Sequence, residues 1–122
     1  MLFPLDVTDQ APVTKEFMDQ LKSQASDYRY SDLVHQAYGL VGDEPFFEMW
    51  NTLTTVYVAH PEFFDQPTAM KLVVDTEGDF PGAIYEDSKG RKVDVVLNIS
   101  DKEAFYKYVL SALQRNFVRE SQ

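Results

Sequence analysis

The 122-residue sequence contains no cysteine. A disulfide framework, a thiolate metal site and a cysteine nucleophile are therefore excluded, and much metal and redox chemistry goes with them. Nowhere is there a run of about 18 apolar residues, the length a membrane-spanning helix needs. The opening stretch MLFPLDVTDQ lacks a basic segment and is broken by Pro4 and Asp6, unlike a secretory leader. These absences predict a soluble, cytoplasmic protein.

Positive charge is scarce in one region. No Lys or Arg occurs between Tyr30 and Met70, whereas Asp32, Asp43, Glu44, Glu48, Glu62 and Asp65 all fall there. Residues 1–65 carry eleven acids and three bases, for −8, and residues 66–122 carry nine acids and eight bases, for −1. Nucleic acids and anionic membranes are held by Lys and Arg that neutralise phosphates, so direct binding to either is not expected.

Apolar material is plentiful. Hydrophobic residues make up 44% and aromatics 14%, enough to offset the entropy of ordering the chain, so it is not expected to be disordered. The length suits a single α+β domain spanning 1–122, divided into an N-terminal arm or edge strand (1–12), a strongly acidic helical half (13–66) and a β-meander with a C-terminal helix (67–122).

Hydrophobic periodicity supplies the elements. Thr14 is placed to cap a helix carrying Phe17, Met18, Leu21 and Ala25 on one face. Ser31 is expected to cap a second, with Val34, Ala37, Tyr38 and Val41 as its stripe and Gly39 and Gly42 near its end. Asp43 is expected to cap a third, with Glu44 and Pro45 in its first turn. That third helix has apolar residues on more than one face, as the buried centre of a domain does, and should stop at His60 before Pro61.

The period then changes to two. "AMKLVVD", "GAIYED" and "RKVDVVLNI" read as three antiparallel strands in a meander, the last two joined by a hairpin turn at Asp87 to Gly90. Ser100 and Glu103 form an S-x-x-E capping box for a final helix.

The loop "DTEGDFPG" invites a metal reading, because Asp75, Glu77 and Asp79 fall at positions one, three and five of a calcium loop. Position six of that loop must be Gly, and here it is Phe80 followed by Pro81, between strands rather than helices. Asp75 with Asp87-Ser88-Lys89 has the order of acids and lysine used by metal-dependent nucleases, but Lys89 adjoins Gly90 in a turn and a net charge of −9 opposes DNA. Both stretches are read as turns, and no metal or cofactor is expected.

His35 and His60 stand apart, without HExxH spacing or a nucleophile elbow, so no catalytic residue is assigned. Tyr28, Arg29 and Tyr30 are read as a loop between helices presenting residue types common in binding hot spots. Together with Asp32, Asp43, Glu44, Glu48, Glu62 and Asp65 they form the candidate partner-binding set. The sequence thus favours a non-enzymatic regulator, inhibitor or immunity-type protein docking on a basic protein surface. Two alternatives stand beside it: a small-molecule-binding or catalytic domain with an aromatic pocket between the third helix and the sheet, near Trp50, Tyr57 and His60, and a DNA mimic. Homo-oligomerisation through exposed aromatics or a free strand edge is a further possibility.

Overall fold

The computed structural model describes residues 1–41 and 47–117. In chain order the elements are α1 (Leu5–Thr8), α2 (Lys15–Ala25), α3 (Arg29–Gly39), α4 (Trp50–Ala59), a 3-10 turn at Pro61–Phe63, β1 (Thr68–Val74), β2 (Ile84–Glu86), β3 (Arg91–Val95) and α5 (Lys102–Ala112). The α+β class follows directly. Among the described residues no helix is long and apolar enough to cross a membrane.

The first twelve residues are neither simply an arm nor simply a strand. Leu2 bridges Val95 in parallel, its amide donating to the Asp94 carbonyl at 2.8 Å, and the short α1 then buries Val7. Helix α2 begins as its sequence dictates: the Thr14 hydroxyl accepts from the Phe17 amide at 3.1 Å, and Phe17 and Leu21 enter the core. Each such buried side chain contributes roughly 1.5–3 kcal/mol relative to exposure.

Helix α3 starts earlier than expected. Ser31 is not its cap but lies inside it, fully buried, with Tyr28 at the cap position. The first amides of α3 are satisfied from the far end of the chain: Arg29 N donates to Asn116 Oδ1 at 2.8 Å and Tyr30 N to the Arg115 carbonyl at 3.1 Å. With these long-range acceptors in place, a local Ser cap is not required. The expected cap at Asp43, with Glu44 and Pro45, lies outside the described residues, as does Gly42. The helix expected there begins only at Trp50, because the preceding residues pair with the chain before α2. Val13 N donates to the Phe47 carbonyl and Met49 N to the Ala11 carbonyl, both at 2.8 Å.

The three strands are antiparallel, but their order is β2-β1-β3, with β1 in the centre, so the expected meander is corrected. Asp87 to Gly90 does form a tight turn, with Gly90 N donating to the Asp87 carbonyl at 2.8 Å and Lys89 N to Asp87 Oδ1 at 2.7 Å. That turn carries the chain across β1 from one edge to the other. A side chain at Gly90 would meet the Leu72 backbone, its Cβ only 2.6 Å from Leu72 N, which is why glycine stands at the crossing.

The core lies among the helices and the segments joining them. Leu21, Leu53, Phe64, Val96 and Phe105 are at its centre, while within the strands only Val95 is buried. Helix α5 begins one residue later than the expected Ser100 cap, on Asp101, whose carboxylate accepts from Ala104 N at 2.9 Å.

Candidate functional site

The partner-binding residues proposed from sequence have separate neighbours. Asp32, in the first turn of α3, accepts from the Gln36 amide at 2.9 Å. Glu48 is half-buried in the bridge to Pro12, and Asp65 accepts from the Asn98 side-chain amide at 3.0 Å. Glu62 is exposed and lies 2.8 Å from His60 Nδ1. Asp43 and Glu44 fall outside the described residues. Each placed acid thus engages a different element, and no hydrogen bond or ion pair joins one to another among the described residues. Tyr28, Arg29 and Tyr30 are not a loop but the start of α3: Tyr28 is half-buried, Arg29 is exposed, and the Tyr30 ring meets Phe117 edge-on with centroids 4.6 Å apart.

The aromatic residues suggested for a pocket beside the sheet are likewise committed elsewhere. Tyr57 packs edge-on against Phe3 and Phe64, at 5.0 and 5.2 Å, within the core. Trp50 donates its indole N–H to Asp9 Oδ1 at 2.9 Å. His60 stacks on Phe63 at 4.8 Å and meets Tyr108 edge-on at 4.3 Å. A concavity of about 950 Å³ lies instead between α2 and α5, lined by Glu16, Gln20, Gln24, Glu103, Lys107 and Gln114 among others. Phe17, Tyr106 and Leu110 add apolar surface to these polar walls, so the lining is mixed.

The His60–Glu62 pair is the most chemically defined arrangement. The imidazole is clamped between Phe63 and Tyr108, and its hydrogen bond holds the Glu62 carboxyl below the usual glutamate range. A carboxylate fixing one ring nitrogen sets the tautomer and the direction of the other, which is how a histidine is oriented for proton transfer. The sequence contained the signal, two residues apart on either side of Pro61, although spacing alone did not distinguish it from a helix stop.

The acidic loop is explained by its own backbone. Asp75 Oδ1 accepts from Gly78 N at 2.7 Å and from Glu77 N at 3.1 Å, and the Gly82 amide donates to the Asp75 carbonyl at 2.7 Å. Gly82 takes a φ of +93°, a conformation that L side chains disfavour. Among the described residues no three His, Asp or Glu side chains gather as a ligand set.

Beneath the groove, a polar network ties three helices together, which sequence inspection did not reveal. Gln24 Nε2 donates to Ser31 Oγ at 2.7 Å and to the Leu110 carbonyl at 2.9 Å, and Ser31 Oγ donates to the Leu113 carbonyl at 2.8 Å.

No protein-family model matches this chain, and no curated protein does. Solved structures of one enzyme class do. An inosine-uridine preferring nucleoside hydrolase from Bacillus anthracis is similar with a TM-score of 0.79 and 25% identity, over 93% of this chain and 35% of that one. A purine-preferring ribonucleoside hydrolase from Gardnerella vaginalis is similar in fold with a TM-score of 0.65 and 16% identity, over 93% of this chain and 40% of that one. The chain therefore spans little more than a third of the length of these enzymes.

Proposed function

We propose that this chain acts on ribonucleosides as one part of a hydrolase that separates base from ribose. The observation that carries the reading is the similarity to the inosine-uridine preferring enzyme, which extends over 93% of this chain at 25% identity. This is the small-molecule and catalytic alternative, in a different form: the ligand site is shared with further polypeptide rather than enclosed between α4 and the sheet. The test is a chimera in which this chain replaces the matching third of the Bacillus anthracis enzyme. Ribose release from inosine or uridine is expected, and a folded chimera that releases none would sink the proposal.

A second reading keeps one observation in its favour, the division of charge into −8 and −1 between the two parts of the chain. On that reading Glu48, Glu62 and Asp65 steer a basic protein partner, and neutralising all three slows association and flattens its salt dependence. Unchanged association rates would remove it.

A further inference from the structure

Helix α4 sits at odds with its own composition. Its ten residues, WNTLTTVYVA, include no charge, in a chain of which 25% is charged, and it is the most apolar helix of the fold. Such a helix is ordinarily buried all round. Here only Leu53 and Val56 are buried, while Val58 is 84% exposed and Trp50 49%. Asn51, Thr55 and Ala59 complete the outward side. The Thr55 hydroxyl on this side, like that of half-buried Thr54, donates back to the Asn51 carbonyl, at 3.0 and 2.9 Å respectively, so the Asn51 side-chain amide is the polar group this side presents. A solvated helix surface of this length ordinarily mixes charges of both signs.

The comparison supplies what is missing. In the two hydrolases, 65% and 60% of the chain have no counterpart in the match to this one, so a large body of polypeptide is available to lie against this fold. A second copy of this chain is a poorer occupant, because each copy brings a net charge of −9 and association would set two acidic molecules together.

We propose that the outward face of α4, centred on Val58 and Trp50, is an interior surface that docks the polypeptide corresponding to the remainder of a nucleoside-hydrolase fold. The inference rests on the functional reading above for the identity of that polypeptide. The docked face brings Asn51 and Thr55 to the junction, so that α4 becomes shared between the two parts.

The test compares one substitution in two settings. In the isolated 122-residue chain, Val58→Asp replaces an exposed side chain in the last turn of α4, where a carboxylate opposes the helix dipole, and should lower the melting midpoint by no more than about 3 °C. In the chimera with the Bacillus anthracis enzyme, the same change buries a carboxylate and should lower the midpoint by roughly 5 °C or more. Leu40→Asp, on the exposed end of α3, serves as the comparison substitution in both.

A chimera that does not fold overturns the inference, as does one in which Val58→Asp and the isolated-chain variant behave alike. Self-association of the isolated chain that Val58→Asp abolishes also overturns it, by giving the face to a second copy. A folded chimera that is destabilised by Val58→Asp but releases no ribose leaves the docking face standing and removes only the proposed activity.

Discussion

Gly90 crosses β1 so closely at Leu72 that an added Cβ would lie 2.6 Å from the Leu72 amide nitrogen and 2.7 Å from its carbonyl oxygen. Both obstacles are backbone, which cannot rotate away as a side-chain tip can. Gly90→Ala should therefore destabilise the protein by about 1–3 kcal/mol, the usual penalty for overpacking. Urea unfolding would show this as a lower midpoint, and an unchanged midpoint would mean that the crossing is looser than described.

Ser31→Ala tests the network under the α2–α5 groove. The hydroxyl accepts from Gln24 and donates to the Leu113 carbonyl in a fully buried position, so its removal leaves both partners short of a hydrogen bond. A loss of about 1–3 kcal/mol is expected, larger than for a surface serine. Ser23→Ala is a matched control: Ser23 is exposed and donates only to the Gln20 carbonyl within its own helix.

The His60–Glu62 pair gives a prediction at acid pH. The folded-state pKa of Glu62 is lowered, first by its hydrogen bond with His60, so its contribution is present above the ordinary glutamate value and is lost as pH falls through the depressed one. Carboxylate titration by NMR should place Glu62 below the usual range. In His60→Ala the midpoint should rise toward the ordinary value, and one that stays in place would assign the shift to the Glu62 backbone contact instead.

At alkaline pH the sign is reversed. Burial raises the pKa of Tyr38, against a smaller lowering by its hydrogen bond with Thr52, and burial raises that of Tyr106, whose hydroxyl donates to the Pro12 carbonyl at 2.6 Å. Their contribution is complete below the ordinary tyrosine value of about 10 and is lost as pH rises through the folded-state values. Phenolate absorbance should show the component due to these two, identified with Tyr38→Phe and Tyr106→Phe, only at higher pH. If each component instead appears at the ordinary value, the described burial is wrong.

Local rules made part of this fold legible. The Thr14 cap, the Phe17 and Leu21 face of α2 and the presence of a helix through Phe105 and Val109 follow from periodicity and capping, which act within a few residues. What was not legible depends on distant chain. Asp87-Ser88-Lys89-Gly90 has the same turn chemistry whether it joins paired neighbours or crosses a central strand, so the order β2-β1-β3 left no mark on the turn itself. Ser31 reads as a cap until Arg115 and Asn116 are seen supplying acceptors to α3.

The candidate site divides in the same way. The acids of residues 30–70 were visible as a charge pattern, but their individual neighbours, such as Asn98 for Asp65, come from elsewhere in the chain. The pattern of α4 predicted central burial, and Leu53 and Val56 meet that expectation while Val58 and Trp50 stay exposed.

The bond from the Trp50 indole to Asp9 has a practical consequence. Trp50 is the only tryptophan among the 122 residues, and its partner is at the end of α1, forty-one positions earlier. Fluorescence excited where tyrosine does not absorb therefore has one source, and that source is anchored to the opening segment. Any ligand or substitution that unseats the first ten residues will change the emission colour of the whole protein, an optical readout that needs no added dye.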